Sequence, residues 1–556
     1  MKRGLVGETK TKSAVRRLAR SRQSAVALAL LTVWLAQVAC SGGLIYPAEL
    51  TATAISPGQL VSAGGVEFET PIPVLEVQDP VDPSPTPAPT RAVPTAAALA
   101  EPTQDDPVPD PTRDTTPDSP ILYYTQAGDT LKGLSARFNV LPGEITSPDP
   151  IPAEGLFDPG ILLLIPPRLG ETSSSTQLIP DSEIVYSPSA LDFELKKFVL
   201  EAGGYLTTYK EWRSSGWHDG PRVIERVGIE NSINPRLLLA ILEWQSHWVY
   251  GQPENLAETE YPIGFLSIEN EKKGLYYQLS WAVQQLNIGY YGWRDGTVTE
   301  LSFPDGSKLR LAPDLNAGTV ALQYLFSRLY NQTQWAGILY GPDGLLVLYE
   351  NMFDNPWMRA QTVEPLFPAT LTQPPLELPF FPGRTWSYTG GPHSAWGPDG
   401  ARAAVDFAPS TDTHGCYESI DWVTASSSGL VVRSENGVIV LDLDGDGYEQ
   451  TGWAILYLHI ATTDRAPLST WVNLNDPIGH PSCEGGMATG THVHMARKYN
   501  GEWILADGPM PMVLSGWRVH ADPVLYMGTL TKDDLTVYSS VYGTYESRVT
   551  RPAASP

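Results

Sequence analysis

The chain has 556 residues, of which 42% are hydrophobic, so it is long enough to bury more than one folded core. Its 50 prolines and 49 glycines indicate long connecting segments. The net charge of -25 argues against a nucleic-acid partner, because an acidic surface repels a phosphate backbone. Three cysteines are too few for a disulfide-dense scaffold or a zinc module with four cysteine ligands. No apolar run reaches the ~20 residues of a membrane-spanning helix, which excludes a polytopic membrane protein.

The N-terminus has the pattern of an export signal. A strongly basic stretch is followed by the apolar run 25–36 and then by Ala39-Cys40, the order found in secretory signals. The cysteine after a small residue resembles a bacterial lipoprotein signal, which implies lipidation of Cys40. Plain secretion and an uncleaved signal anchor are the alternatives. We therefore expect an extracytoplasmic protein, at the cell surface or in the envelope, that meets the membrane only through its N-terminus.

The remaining two cysteines are Cys416 and Cys483, both in the C-terminal region. If Cys40 carries a lipid, they form an even pair in an oxidising compartment, which predicts one disulfide. Two unpaired buried thiols are the alternative.

A proline- and threonine-rich segment precedes the first folded unit. Proline fixes φ and lacks a backbone donor, so residues 41–120 are predicted to be a disordered, extended linker. Folded sequence begins at Ile121 with a short strand, a Gly128-Asp129 turn and the helical spacing of Leu131, Leu134 and Phe138. This pattern, together with the closing Pro159-Gly160 and Leu164-Ile165-Pro166, resembles a LysM domain. The resemblance implies a βααβ fold over 121–168 that binds the glycan of peptidoglycan; a βααβ unit without a ligand is the alternative.

The next region has helical periodicity. Ser232 to Pro235 is predicted to cap a helix that runs from Arg236 to about Tyr250. Its sequence resembles the opening of lytic transglycosylases and goose-type lysozymes, in which a glutamate followed by serine supplies the catalytic acid. The matching position here is Gln245, whose amide cannot donate a proton as a carboxylic acid does. Glu243 lies on a different face of the helix. A lysozyme-like domain that holds glycan without cutting it is expected, and a plain helical spacer is the alternative.

Histidines concentrate in the strand-rich C-terminal region. His492 and His494 alternate in a strand, so their side chains lie on one face. His459 ends another strand, and His393 follows a Gly-Gly-Pro loop. Asp406 interrupts an apolar strand, where an unpaired carboxylate is costly unless it meets a cation. Two histidines and one aspartate would leave the open fourth position that a hydrolytic zinc ion needs.

These five residues lie in four motifs that resemble the lysostaphin/β-lytic (LytM-type) zinc metallopeptidases. The motifs end at His393, Ala408, His459 and His494, and the spacing of 13 residues from His393 to Asp406 is similar to the β-lytic branch. The lysostaphin branch would need a histidine at position 402, which is Arg402. The resemblance implies one Zn²⁺ per chain held by His393, Asp406 and His494. It also implies that His459 and His492 orient water or stabilise the oxyanion.

Another acidic motif, Asp442-Leu443-Asp444-Gly445-Asp446-Gly447, looks like the start of a calcium loop. Position 12 of such a loop would be Trp453 rather than glutamate, so the motif is interpreted as a hairpin turn. Of the other histidines, His414 and His480 are predicted to lie on loops, and His218, His247 and His520 are predicted to be structural or exposed.

Together these patterns predict a multidomain, exported cell-wall hydrolase: a zinc endopeptidase that cleaves peptidoglycan cross-bridges or stems and is anchored to glycan by its LysM domain. A non-hydrolytic wall-binding or amidase-activating protein, and a bifunctional enzyme that also cuts glycan, are the alternatives. The expected fold combines a small βααβ unit, a mostly α lysozyme-like domain and a mainly-β antiparallel metallopeptidase domain. The predicted segments are the signal (1–40), linker (41–120), LysM domain (121–168), linker (169–189), helical domain (190–370), metallopeptidase domain (380–530) and C-terminal tail (531–556).

Overall fold

The computed structural model describes residues 119–266, 272–368, 371–411 and 413–553. The predicted export signal, Cys40 and nearly all of the predicted linker 41–120 lie outside the described residues. No helix among the described residues is both long enough and apolar enough to cross a bilayer.

Ten α-helices are described, and nearly all of them lie in the middle of the chain. They are α1 (Leu131–Phe138), α2 (Leu195–Ala202), α3 (Gly220–Asn231), α4 (Pro235–Ser246), α5 (Leu256–Glu260), α6 (Leu275–Asp295), α7 (Ala317–Ser327), α8 (Gln332–Tyr340), α9 (Leu345–Phe353) and α10 (Pro356–Ala360).

The strands fall into an N-terminal pair, two hairpins within the helical region and a strand-rich C-terminal region. The first six are β1 (Ile121–Tyr124), β2 (Leu162–Ile165), β3 (Lys210–Arg213), β4 (Gly216–Asp219), β5 (Glu300–Ser302) and β6 (Lys308–Arg310). The next eight are β7 (Thr385–His393), β8 (Ala404–Pro409), β9 (Val423–Thr424), β10 (Gly429–Glu435), β11 (Val438–Asp442), β12 (Trp453–Leu458), β13 (Trp471–Val472) and β14 (Pro477–Gly479). The last seven are β15 (Val493–Tyr499), β16 (Glu502–Trp503), β17 (Val513–Leu514), β18 (Trp517–Ala521), β19 (Gly528–Lys532), β20 (Leu535–Tyr538) and β21 (Arg548–Thr550).

In the N-terminal unit, β1 pairs antiparallel with β2, and α1 lies between the two strands in the sequence. A single 3₁₀ turn, Pro142–Glu144, stands where the LysM resemblance predicts a second helix. The turn ends early because Thr146 pairs with Leu164 and draws the chain back to the sheet. The core of the N-terminal unit includes Leu134, Phe138 and Leu163, all buried. The LysM identity of this unit stays a prediction.

The predicted helix 236–250 is shorter in the structure. Helix α4 ends at Ser246, and His247 adopts a left-handed conformation with φ of 55°. The carboxylate of Glu243 then accepts the backbone N–H groups of Val249 and Tyr250, at 2.8 and 3.0 Å. Glu243 therefore terminates the helix, because it satisfies backbone donors that would otherwise continue it.

The C-terminal region is built on an antiparallel nine-stranded sheet, as its alternating sequence predicts. The order of its strands is β13-β10-β11-β12-β15-β8-β7-β21, and β16 pairs with the end of β15. A smaller four-stranded sheet, β17-β18-β19-β20, packs beside it.

The two faces of the nine-stranded sheet belong to two different cores. Ile439, Tyr457 and Met495 lie in a core internal to the C-terminal region. The alternate residues Val440, Leu456 and Ala496 lie in the core of the helices. Asp406 is two residues from Ala404 on β8, and His494 is two residues from Ala496 on β15. Residues two apart in a strand share a face, so Asp406 and His494 lie on the helix-covered face.

Two predicted segment boundaries differ from the structure. The predicted tail 531–556 contains β20 and β21, and β21 pairs with β7 at the edge of the main sheet. The predicted linker 169–189 contributes Ile179, Ile184 and Val185 to the helical core. Both segments are short and lack long periodic runs, so only their tertiary partners reveal them as folded. The folded segments pack into one compact unit.

A buried charged group joins the helical region to the sheet. The carboxylate of Glu502 accepts hydrogen bonds from Tyr290, at 2.8 Å, and from Arg294, at 3.3 Å. Arg294 also pairs with Asp181 at 2.9 Å. Burial raises the pKa of Glu502 to about 7, although Arg294 opposes this shift.

This junction should make stability depend on pH. Because the pKa of Glu502 rises on folding from 4.5 to about 7, its contribution is complete below pH 4.5 and is lost as the pH rises through 7. The loss is about 3 kcal/mol of unfolding free energy. We expect Glu502→Gln to flatten the difference in denaturant stability between pH 5 and pH 8, whereas Glu225→Gln, at an exposed carboxylate, should not. An unchanged slope in the Glu502→Gln variant would contradict this account.

Candidate metal centre

Three neighbouring strands carry the three residues that the sequence predicts to be metal ligands. Asp406 on β8 is the register partner of His494 on β15, and β7 ends at His393. Gly390 on β7 is the partner of Asp406 on its other side. A Cβ at Gly390 would lie 2.3 Å from the Asp406 carboxylate, so only glycine leaves room for that group.

The three side chains converge to hydrogen-bond distances. Asp406 Oδ1 lies 3.3 Å from His393 Nε2 and 3.2 Å from His494 Nδ1, and the two nitrogens are 3.0 Å apart. All three residues are buried. Four ligands placed tetrahedrally at ~2.0 Å from zinc would lie ~3.3 Å from one another. The spacing of these donor atoms therefore fits a zinc ion.

The chemistry of the donor set also fits a divalent cation. Asp406 Oδ1 is buried without a hydrogen bond of good geometry, an arrangement that is costly for a carboxylate unless a cation lies beside it. Burial would raise the pKa of Asp406, but His393 and His492 hold it well below its usual range. The carboxylate is thus ionised. Burial lowers the pKa of His494, which favours the neutral imidazole that a metal requires.

Backbone carbonyls fix both histidine rings. Nδ1 of His393 lies 2.8 Å from the carbonyl of Gly391, and Nε2 of His494 lies 3.0 Å from that of Ala395. A ring nitrogen that donates to a carbonyl leaves the other nitrogen free to bind a metal. His393 Nε2 and His494 Nδ1 are therefore the nitrogens directed at Asp406.

His459 and His492 lie beside this cluster. The two rings are 4.5 Å apart, and His492 Nε2 is 3.8 Å from Asp406 Oδ1. Their Nδ1 atoms lie 2.8 and 2.7 Å from the carbonyls of Glu484 and Gly490, which leaves each Nε2 as an acceptor. Burial, together with His492 and His494, lowers the pKa of His459 to about 3, so its ring is neutral. His459 has φ of 67°, in the left-handed region, at the residue directly after β12.

A disulfide braces the loop before His492. Cys416 and Cys483 are bonded. Next to Cys416, the amide of Tyr417 donates to the Thr491 hydroxyl at 2.9 Å, and that hydroxyl donates to the Tyr417 carbonyl at 2.6 Å. The Thr491 amide donates to Gly415 at 3.0 Å. The disulfide loop thus fixes the backbone that presents His492.

The structure separates the other candidates from this cluster. Arg402 donates to the carbonyls of Pro392 and Asp522 and contributes no ligand atom. Gln245 is engaged on both sides of its amide: it donates to Ile263 and accepts from Tyr330. Asp442, in the acidic motif between β11 and β12, accepts the backbone amides of Asp444, Gly445 and Gly447, as a turn does. The carboxylates of Asp442, Asp444 and Asp446 also lie close together.

Sequence reasoning missed one neighbour of the cluster. The ring of Tyr526 stacks on His393 with centroids 4.2 Å apart. Tyr526 lies in the loop between β18 and β19, far along the chain from His393, and its carbonyl accepts the amide of Gly391. No local periodicity marks such a loop residue, so no pattern in the sequence could have identified it.

Comparisons with known proteins found a family match in the helical region and similarity to several proteases. Residues 177–366 match a family described as "LasA, N-terminal domain". Protease LasA of Pseudomonas aeruginosa (strain UCBPP-PA14) is 24% identical over 355 residues, which are 60% of this chain and 79% of the relative. Beta-lytic metalloendopeptidase of Achromobacter lyticus is 27% identical over 154 residues, which are 26% of this chain and 38% of the relative. A solved M23 metalloprotease, pseudoalterin from the deep sea, is 22% identical over 31% of this chain and 96% of its own, with a TM-score of 0.26.

Proposed function

We propose that this chain is an exported, zinc-dependent endopeptidase that cleaves peptide bonds in the stems or cross-bridges of peptidoglycan. Similarity to a protease and to a metalloendopeptidase supports the coarser assignment as a metallopeptidase. The observation that carries the proposal is the convergence of one carboxylate and two imidazoles, all buried, on a single point.

His393 Nε2, Asp406 and His494 Nδ1 would hold the zinc ion. A zinc ion bound there supplies Lewis-acid activation of water and of the scissile carbonyl. Three protein ligands leave one position of a tetrahedral site open to solvent and substrate. The carbonyls of Gly391 and Ala395 keep both imidazoles in the tautomer that this role needs.

His459 and His492 would act on the proton and on the developing negative charge. Each has Nδ1 committed to a carbonyl and Nε2 available to accept a proton. Their rings are adjacent, and His492 Nε2 lies 3.8 Å from Asp406 Oδ1. A neutral imidazole can take a proton from water and, once charged, stabilise an oxyanion.

The setting of the reaction rests on the N-terminal sequence. The proposed export signal places the enzyme outside the cytoplasm, with Cys40 as the proposed lipid attachment site. The unit at 121–168 would bind glycan as a LysM domain and hold the enzyme on the cell wall. The peptide part of the same polymer would enter the metal site.

Mass spectrometry of digested peptidoglycan tests this function. The full chain, loaded with zinc, should release fragments with new peptide amino termini and leave the glycan uncut; the neutral amide of Gln245 is the reason to expect no glycan cleavage. The same chain treated with a chelator should release none. Binding to peptidoglycan without new amino termini would overturn the proposal in favour of a non-hydrolytic wall protein, and anhydro or reducing sugar ends would indicate a bifunctional enzyme.

Thr491→Val should slow cleavage without removing the metal. The substitution keeps the shape of the side chain but removes both hydroxyl hydrogen bonds to Tyr417. His492 would then be less well fixed, and we expect kcat to fall by about 10-fold. This is the low end of the roughly 10–100-fold losses seen when groups that orient a metal site are changed. Zinc content should stay near one per chain. Thr451→Val, which changes an exposed hydroxyl bound to Asp446, is the matched control. A normal kcat in Thr491→Val would show that this brace is dispensable.

A further inference from the structure

The hairpin β3–β4 carries two exposed tryptophans on one face. Trp212 and Trp217 are register partners, and their rings are 5.7 Å apart with planes at 75°. Their exposed fractions are 63% and 69%. Large aromatic side chains are normally buried, so a pair left open to solvent needs a reason beyond folding.

The other face of the hairpin is fixed to the helices. Arg213 lies over the rings of Tyr276 and Tyr277, at 4.1 and 4.2 Å. His218 is buried and bonded to Ser215 at 2.8 Å, and Ser215 accepts from Arg226 at 3.0 Å. The tryptophans are therefore presented on a rigid support, and a ligand that binds them need not pay to order the hairpin.

The geometry of the pair suits a sugar ring. Two indoles at nearly right angles form a corner, in which one plane can lie under the C–H face of a pyranose and the other beside it. Each indole also carries an N–H that can donate to a hydroxyl or an N-acetyl oxygen. We propose that Trp212 and Trp217 form a binding site for a polysaccharide of N-acetylated amino sugars. The identity of the polymer rests on the proposed function. The inference that the two indoles bind a sugar ring rests only on their geometry and exposure.

Charge and area argue against the other occupants of such a face. The net charge of -25 would be repelled by an anionic bilayer, and the exposed face of the hairpin offers only Lys210 as a cation. The two indoles expose roughly 300 Å², well below the ~800 Å² that each partner buries in a stable protein interface. A single sugar ring is small enough to be held by such an area.

Binding of the N-acetylglucosamine hexasaccharide and of purified peptidoglycan to the full chain tests the site. We expect Trp212→Ala/Trp217→Ala to bind the hexasaccharide about tenfold more weakly than the parent, with residual binding from the unit at 121–168. Both side chains are exposed, so the unfolding midpoint should not change. Trp212→Phe/Trp217→Phe, which keeps aromatic faces, should recover most of the affinity. Trp471→Ala, another half-exposed tryptophan of a strand, should bind like the parent.

The outcomes separate this site from the peptidase. Cleavage of a soluble peptide that carries no sugar should be the same in the double alanine variant and the parent. If the parent cleaves no peptide but its sugar binding depends on the pair, the proposed function fails and the site stands. Sugar binding that is unchanged by the double substitution, or is lost equally in Trp471→Ala, overturns the site. If the pair is needed only for binding to phosphatidylglycerol vesicles, it belongs to a lipid-binding surface, and the sugar site is overturned. If the pair is needed only for self-association in sedimentation, it binds a second copy of the chain, and the sugar site is likewise overturned.

Discussion

His494→Ala is expected to lose both the zinc ion and peptide cleavage. The substitution removes one of three protein ligands and leaves the carboxylate of Asp406 buried beside a single proposed ligand, His393. Altering a group that only orients a ligand typically costs 10–100-fold, so removing a ligand should lower cleavage by more than about 100-fold. Zinc per chain, measured on the purified protein, should fall from one to nearly none.

A burial-matched histidine provides the control for this experiment. His218→Ala removes a side chain that is also buried but belongs to the helical region, so zinc content and cleavage of a soluble peptide that carries no sugar should stay near the parent values. Release of amino groups from peptidoglycan by His494→Ala at the parent rate would defeat the metal mechanism. Loss of activity with zinc still bound would move the role of His494 from ligand to proton transfer.

Asp129→Ala should unfold the N-terminal unit. Asp129 accepts hydrogen bonds from Tyr123, from the amide of Gln126 and from Arg137, each at 2.7 Å, and its side chain is 2% exposed. Removing the carboxylate leaves a buried guanidinium without its counter-charge, which costs roughly 3–5 kcal/mol. Hydrogen exchange should report lost protection over 121–168, and retention on peptidoglycan should fall, while cleavage of a soluble peptide should not.

An exposed ion pair between this unit and the end of α6 is the comparison. Lys132 pairs with Asp295 at 2.6 Å, and its side chain is 74% exposed. Lys132→Ala should cost at most about 1 kcal/mol, because solvent screens such a pair. Equal effects of Asp129→Ala and Lys132→Ala would contradict the role given to burial.

Local patterns predicted much of the strand structure around the candidate site. An aspartate inside an apolar strand follows from the two-residue period of a β-strand. The predicted strand through His492 and His494 begins one residue later than expected, at Val493, and His492 forms an isolated bridge with Ser482. The antiparallel character of the C-terminal sheet follows from the same alternation. The roles of the five residues came from motif resemblance and remain proposals, whereas their spatial convergence is a property of the fold.

The sequence by itself determined which residues alternate, that helices start near Leu131 and Pro235, and which carboxylate is out of place in a strand, because these depend on neighbours within a few positions. Only the tertiary structure decided that the helices cover the face of the sheet that carries Asp406 and His494, that β21 closes its edge and that Tyr526 stacks on His393. Those contacts join residues far apart in the chain, and periodicity shows that a face is apolar without showing which distant surface will cover it.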